Sequence, residues 1–216
     1  MRIAVEDYVK TIYSFGEWDD VPATPSALAA RLGLAASTVT EMVKKLAASG
    51  LVDHVPYGAI TLTAEGRTLA LRMVRRHRLI ETWLVEEFGY RWDEVHEEAD
   101  VLEHAVSDRM LDAIFEKLGR PVRDPHGDPI PSSDGRVVMP PAVLLAEAPD
   151  GHEGGIVRIR DRDPKLLRYL EAEGFDLDAR VRVVGRKPFG GALAIVLEGV
   201  ELDVGDEAAR EIWISR

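Results

Sequence analysis

The sequence predicts an α+β chain built from several small domains: a winged helix-turn-helix, a helical dimerisation domain, and a small C-terminal SH3-like β-barrel. Three observations predict it. Residues 24–62 read as two short helices joined by a tight glycine turn and followed by a hairpin. Helical periodicity then runs from Thr63 to Gly89 and again from Asp93 to Gly119. Beyond Arg120 the pattern changes to period-two runs separated by turn residues. The boundaries that follow are 1–73, 74–139 and 140–216.

Taken in order, Val5, Val9, Ile12 and Phe15 recur at helical spacing and predict a first helix over 4–15. Thr24 is a good helix cap with Pro25 at the first helical position, and Ala27, Leu28 and Leu32 supply the buried stripe. Gly33 ends that helix. Ser37 is expected to cap the next, whose apolar face is Val39, Met42, Val43 and Leu46 and whose end is Gly50. Val52–His54 and Ala59–Leu62 read as strands around Pro56-Tyr57-Gly58, the wing. A long helix starts at Thr63. Asp93 is expected to cap a second long one, with Val95, Ala99, Leu102, Val106 and Met110 as its apolar stripe. Residues 120–141 are rich in Pro, Gly, Asp and Ser and read as a linker. Strands follow at Ile156–Arg160, Arg180–Val184 and Ala192–Val204, the last broken at Gly199, with one helix over Pro164–Glu173. Gly154-Gly155 and Gly190-Gly191 fit hairpin turns.

Composition narrows the function. With 46% hydrophobic and 30% charged residues, the 216-residue chain can bury cores. It has no cysteine, which excludes disulfides, thiolate metal sites and cysteine nucleophiles. No run of about 18 apolar residues and no basic-then-apolar leader is found, so no membrane span is expected and a cytoplasmic location is. The net charge of −11 is unevenly spread. Residues 1–80 hold 10 Lys+Arg against 8 Asp+Glu, a net of +2, and residues 81–216 hold 17 against 30, a net of −13. The near-neutral N-terminal part is the better partner for DNA phosphate.

Within it, the second helix of the helix-turn-helix carries Ser37, Thr38, Thr40, Lys44 and Lys45. Small hydroxyls suit phosphate oxygens and thymine methyls, and lysines suit phosphates. A second constellation is His96, Asp100, Glu103 and His104, spaced to share one flank of the second long helix. His77 and Glu81 form an i, i+4 pair on the first long helix, and Asp7 is a further donor. A third is the loop Asp124-Pro125-His126-Gly127-Asp128-Pro129-Ile130-Pro131. These donors could hold a metal for regulation or, alternatively, for hydrolysis. G-x-S-x-G, Walker, G-x-G-x-x-G and H-E-x-x-H patterns are all missing, so no enzyme and no small organic substrate is expected.

The stretches EDYVKTIY, SGLV, RRHRL, HEEADVLEHAVSD and DPHGDPIP, in this order over residues 4–131, resemble the diphtheria toxin repressor family of metal-dependent transcriptional regulators. The C-terminal part resembles that family's SH3-like, FeoA-like domain more loosely. The resemblance implies a homodimer that binds palindromic operators of metal-homeostasis genes in double-stranded DNA. Its activating metal site maps onto Asp7, Asp100, Glu103 and His104. Iron-responsive members carry methionine and cysteine where this chain has Asp7 and Asp100, and manganese-responsive members carry acids. That implies Mn²⁺, with Fe²⁺ as the alternative; the harder carboxylate donors point the same way. The family's second site maps onto His77, Glu81, His96, Asp124 and His126, with Asp163 as the carboxylate from the barrel.

Overall fold

The computed structural model describes residues 2–19, 21–55 and 58–216. The chain forms two compact units: residues 1–77 with 103–105 and 131–136, and residues 78–102 with 106–130 and 137–216.

In the first unit, α1 (Arg2–Phe15) packs on α2 (Pro25–Leu32) and on the wing, and α2 packs on α3 (Ala36–Ala48). Thr24 caps α2 as expected: its side chain accepts from the Ala27 N–H at 3.2 Å. Gly33 closes it with φ 64°, a left-handed value that favours glycine. Eight residues are too few for a stable isolated helix. α2 is held by burial of Leu28 in a core with Val9, Ile12, Val39, Val43, Leu46, Val52 and Ile60. Ser37 is not the cap of α3. Ala35 takes that position without a side-chain hydrogen bond, and Ser37 lies in the first turn. The wing pairs β1 (Val52–His54) with β2 (Ile60–Leu62) in antiparallel register; of its expected tip, Pro56 and Tyr57 lie outside the described residues. The Thr63 side chain then accepts from the Gly66 N–H and opens α4 (Ala64–Phe88).

Gly66 is required by close approach. A Cβ there would sit 1.9 Å from the Leu51 carbonyl oxygen, which already accepts from the Thr63 N–H. Backbone on both sides leaves nothing to yield, so Gly66→Ala is expected to destabilise the protein by about 3 kcal/mol. Chemical denaturation checks this, and an unchanged midpoint would show that the wing backs away.

In the second unit the single long helix expected over 93–119 is two. α5 (Val95–Leu102) and α6 (Asp108–Lys117) are separated by a turn at 103–107. Ser107 caps α6 by accepting from the Met110 N–H, and this starts a new helix. Asp93 does not cap α5; it pairs with Arg91 and Arg168. Leu79, Ile80, Leu84, Val95, Ala99, Leu111 and Ile130 form one core.

The segment read as a linker is folded. Residues 124 and 126–131 are buried, and the Ile130 N–H donates to the Val122 carbonyl. The C-terminal sheet comprises β3 (Ala142–Leu144), β4 (Glu153–Ile159), β5 (Arg180–Arg186), β6 (Leu193–Leu197), β7 (Val200–Val204) and β8 (Ile212–Ser215). Its strand order is β3-β8-β4-β5-β6-β7, with every neighbouring pair antiparallel. Register shifts at Ile156/Arg158 and Val183/Gly185 bend it around a core that includes Leu145, Ile156, Ile159, Val183 and Ile195. No β3–β7 pairing closes the barrel among the described residues. α7 (Pro164–Ala172) lies between β4 and β5 in sequence, and α8 (Asp206–Ala209) precedes β8. Gly154-Gly155 is not a turn but part of β4, where a Cβ on Gly154 would meet the Ser215 carbonyl at 2.4 Å. No helix among the described residues is long and apolar enough to cross a membrane.

Candidate metal centres and nucleic-acid interface

On α3 the apolar positions Val39, Val43 and Leu46 are buried, which leaves Ser37, Thr38, Thr40, Lys44 and Lys45 exposed on the remaining surface. The Thr40 hydroxyl donates back to the Ala36 carbonyl at 2.8 Å. Lys44 pairs with Glu41 at 2.9 Å, and both side chains are more than 60% exposed. An exposed pair of this kind is worth little and is easily exchanged for a phosphate.

The first unit brings together Asp7 from α1 with Glu103 and His104 from the turn after α5. One donor atom of each lies within 4.8 Å of the others. The turn is fixed from α4: the Arg76 Nε donates to the Glu103 carbonyl at 2.6 Å, both residues being buried. His104 Nε2 faces Asp7 Oδ1 at 2.8 Å, and its Nδ1 faces Glu6 Oε2 at 2.9 Å. With Nδ1–H donating to Glu6, the Nε2 lone pair is left for a cation, the usual way a carboxylate orients a metal-binding imidazole. Sequence reasoning missed Glu6, which is 7% exposed. Burial holds the Asp7 carboxyl above its ordinary range, against the opposing effect of His104. His77 belongs to the same unit and meets Glu103 Oε2 through Nδ1 at 2.6 Å. Lys10 donates to both oxygens of Glu103. Asp100 lies on the exposed side of α5, its carboxylate 3.8 Å from His96 Nε2.

The second unit holds a larger cluster. Glu81, Asp124 and His126 are all buried, with donor atoms within 4.8 Å of one another; Glu81, His96 and Asp161 meet the same criterion. Glu81 is common to both sets. The Asp124 loop is self-built. Its Oδ1 accepts from the backbone N–H groups of His126 and Asp128, and a turn brings the Gly127 N–H to the Asp124 carbonyl. Gly127 has φ 94°, and a Cβ there would lie 2.0 Å from the Val157 carbonyl. The His126 Nε2–H donates to the Trp92 carbonyl at 2.7 Å, and its Nδ1 has no hydrogen-bond partner among the described residues although His126 is 0% exposed. A buried imidazole nitrogen aimed among carboxylates fits a metal ligand.

The electrostatics agree. Burial, then the neighbouring Asp128, push the Asp124 carboxyl up to about 7. Burial would depress the His126 imidazole, but Glu81, Asp161 and Asp124 outweigh it and raise it to about 9. The site demands positive charge. Asp163 is not in this cluster. It caps α7 by accepting from the Lys165 N–H, and the carboxylate beside Glu81 is that of Asp161.

Both centres offer only carboxylate and imidazole donors, a set that fits a divalent transition ion of hard or borderline character. Three family descriptions match consecutive parts of the chain. They are the iron dependent repressor N-terminal DNA binding domain over residues 3–60, the iron dependent repressor metal binding and dimerisation domain over 63–132, and the FeoA domain over 143–216. A diphtheria toxin repressor of Corynebacterium efficiens is 37% identical, covering 98% of this chain and 94% of its own. The iron-dependent repressor IdeR of Mycobacterium tuberculosis is 32% identical over 91% and 89%. A solved manganese-dependent transcriptional repressor in complex with manganese is 51% identical, covers 98% of this chain and 99% of its own, and superposes with a TM-score of 0.93. Resemblance in sequence and fold extends over nearly the whole length, and the chain belongs to the diphtheria toxin repressor family of metal-dependent transcriptional repressors.

Proposed function

We propose that the protein is a Mn²⁺-activated homodimeric repressor that binds palindromic operators of metal-homeostasis genes in the cytoplasm. The observation that carries this reading is the Asp7–Glu103–His104 cluster, which joins α1 to the 103–105 turn through oxygen and nitrogen donors alone. The solved relative in complex with manganese supports the choice of ion. Fe²⁺ is the second reading, favoured by the iron-dependent repressors among the relatives and compatible with the same donors. In domain terms, residues 1–73 bind DNA, 74–139 dimerise and hold metal, and 140–216 form the SH3-like domain.

The proposed mechanism is linkage. α1 supports α2, α2 supports α3, and α1 also carries Asp7. A bound divalent cation would supply the positive charge that burial denies the Asp7 carboxylate. The residues that grip it set where α1 rests relative to the 103–105 turn, and therefore how α3 is presented. The shift obtained equals the difference in cation affinity between the two arrangements of α1. The resemblance maps His77, Glu81, His96, Asp124, His126 and Asp163 onto one second site. The second-unit cluster of Glu81, His96, Asp124, His126 and Asp161 is proposed as that site.

Operator binding titrated with Mn²⁺, Fe²⁺ and Zn²⁺ without oxygen tests the proposal. Activation at the lowest free concentration of Fe²⁺ would favour the second reading, and activation by no metal would overturn both. Lys44→Ala is expected to weaken binding to all DNA sequences alike. It should lower the slope of log affinity against log salt by about one per recognition helix. A changed sequence preference with an intact slope would instead make Lys44 a base reader.

A further inference from the structure

We propose that Arg158 is a positioning residue of the second-unit cluster. Held on the face of Trp213, its guanidinium grips the Asp128 carboxylate and so sets the loop from which Asp124 and His126 reach Glu81. The inference rests on the metal-binding reading of that cluster, and neither Arg158 nor Asp128 belongs to its donor sets.

The loop is tied to Asp128 at both ends. The Asp124 N–H donates to the Asp128 carbonyl at 3.0 Å, and Asp124 Oδ1 accepts from the Asp128 N–H at 2.9 Å. His126 lies between the two, and its carbonyl accepts from the Ile159 N–H of β4 at 2.9 Å. The Asp128 carboxylate is the handle that remains. Arg158 Nε donates to its Oδ1 at 2.7 Å. Arg78 of α4 stands farther off, 3.6 Å from the same oxygen, and gives a short bond to the Pro129 carbonyl instead. The Arg158 and Asp128 side chains are 8% and 6% exposed, so water does not compete for this charge-assisted bond.

The sheet aims Arg158 at this handle. β4 shifts register against β8 between Ile156 and Arg158. Ile156 and Ile159, three residues apart, therefore both enter the C-terminal core, and Arg158 is left on the opposite side of the sheet. There it lies across from Trp213, whose neighbours Ile212 and Ile214 belong to that core. The guanidinium carbon sits 4.5 Å from the centre of the Trp213 ring. A planar cation stacked on indole keeps an edge free for a directed hydrogen bond, which a lysine ammonium does not. A well-packed apolar pair in place of Arg158 and Asp128 would cover Trp213 with no loss of stability. What the charged pair adds is direction. It fixes the Asp128 carboxylate to one donor, and through Asp128 the backbone that carries Asp124 and His126.

The test uses the full chain in an Asp7→Ala background, which weakens the first centre, with Mn²⁺ alone as the probe. Calorimetric titration gives the affinity of the second-unit cluster, and thermal denaturation in chelator gives the metal-free stability. Arg158→Met should weaken Mn²⁺ binding by about 10- to 100-fold, the usual effect of losing a partner that orients a ligand. It also takes the short contact from the buried Asp128 carboxylate, and should melt earlier in chelator. Arg158→Met combined with Asp128→Leu removes that carboxylate as well. The double variant should recover the parent's melting temperature while its Mn²⁺ binding stays weak, a split that separates positioning from a merely structural role. Recovery of affinity together with stability in the double variant would overturn the inference, and so would parent affinity in a folded Arg158→Met. The double variant keeps the test decisive where Arg158→Met alone does not fold. Glu81→Ala in the same background should lose the parent's Mn²⁺. If it retains it, or if the parent binds none, the metal reading of the cluster fails, whatever the Arg158 variants do.

Discussion

Asp7→Ala is expected to raise the Mn²⁺ concentration needed for operator binding by about 100-fold or more, while leaving the metal-free protein close to the parent in stability. The metal effect follows from removing one of three converging donors, since loss of even an outer-shell partner typically costs 10- to 100-fold. The absence of a stability effect follows from where Asp7 sits. Its side chain is 38% exposed, and burial already disfavours its charge in the metal-free protein. Glu103→Ala should behave differently. Glu103 is fully buried between Lys10 and His77, and its removal takes two short contacts from the Lys10 ammonium and one from His77. Breaking a buried pair in this way costs about 3–5 kcal/mol. The expected signature is therefore a pair of variants that both lose metal-dependent DNA binding, of which only Glu103→Ala also melts earlier without metal. Operator binding under Mn²⁺ titration and thermal denaturation with chelator provide the two readings. Retained Mn²⁺ activation in Asp7→Ala would show that α1 is not the switch element.

That contrast could not be read from spacing. The sequence places Asp100, Glu103 and His104 on one helical flank, whereas the helix ends at Leu102 and the last two project from a turn. Apolar periodicity continues across the break, because Val106 packs against the same core as Val95 and Ala99. The interruption comes from tertiary and capping bonds instead, namely Arg76 to the Glu103 carbonyl and Ser107 to the Met110 N–H. Local signals did serve where they were self-contained. Thr24-Pro25 identified the start of α2, and the same pattern in Asp163-Pro164 marks a helix cap. That cap commits Asp163 to α7, and the carboxylate beside Glu81 and His96 is that of Asp161. In the run Arg160-Asp161-Arg162-Asp163 the choice depends on the path of the chain leaving β4, and no local pattern gives that path. Likewise the Pro- and Gly-rich 120–141 segment looks like a linker by composition. It is folded because the Asp124 carboxylate satisfies its own loop and because Arg78 and Arg158 hold Asp128. Pro and Gly there shape a tight buried turn, and composition alone does not separate that from a solvated tether.

Glu81→Ala is expected to abolish Mn²⁺ binding in the second unit while leaving operator binding partly metal-responsive. Glu81 is 1% exposed and belongs to both donor sets of that unit, so one substitution removes a ligand from each. His126→Ala removes a ligand only from the set with Asp124, and should leave the weaker grouping of Glu81, His96 and Asp161. The parent gains stability from any ion held there. At a free Mn²⁺ concentration about 100 times the dissociation constant, the gain is about 2.7 kcal/mol. That part of the Mn²⁺-induced rise in melting temperature should vanish in Glu81→Ala and shrink in His126→Ala. The two substitutions should differ in the metal-free protein as well. His126→Ala removes the imidazole that counters Glu81, Asp124 and Asp161, and so leaves three carboxylates crowded around a cavity. Glu81→Ala relieves the crowding, because Glu81 works to raise both the Asp124 carboxyl and the His126 imidazole. In chelator, His126→Ala should therefore be the less stable of the two. Residual Mn²⁺-dependent operator binding in both variants is the outcome that separates this cluster from the Asp7 centre. If Glu81→Ala loses operator binding as completely as Asp7→Ala does, the cluster of the second unit shares control of DNA binding and the hierarchy proposed for the two centres is wrong.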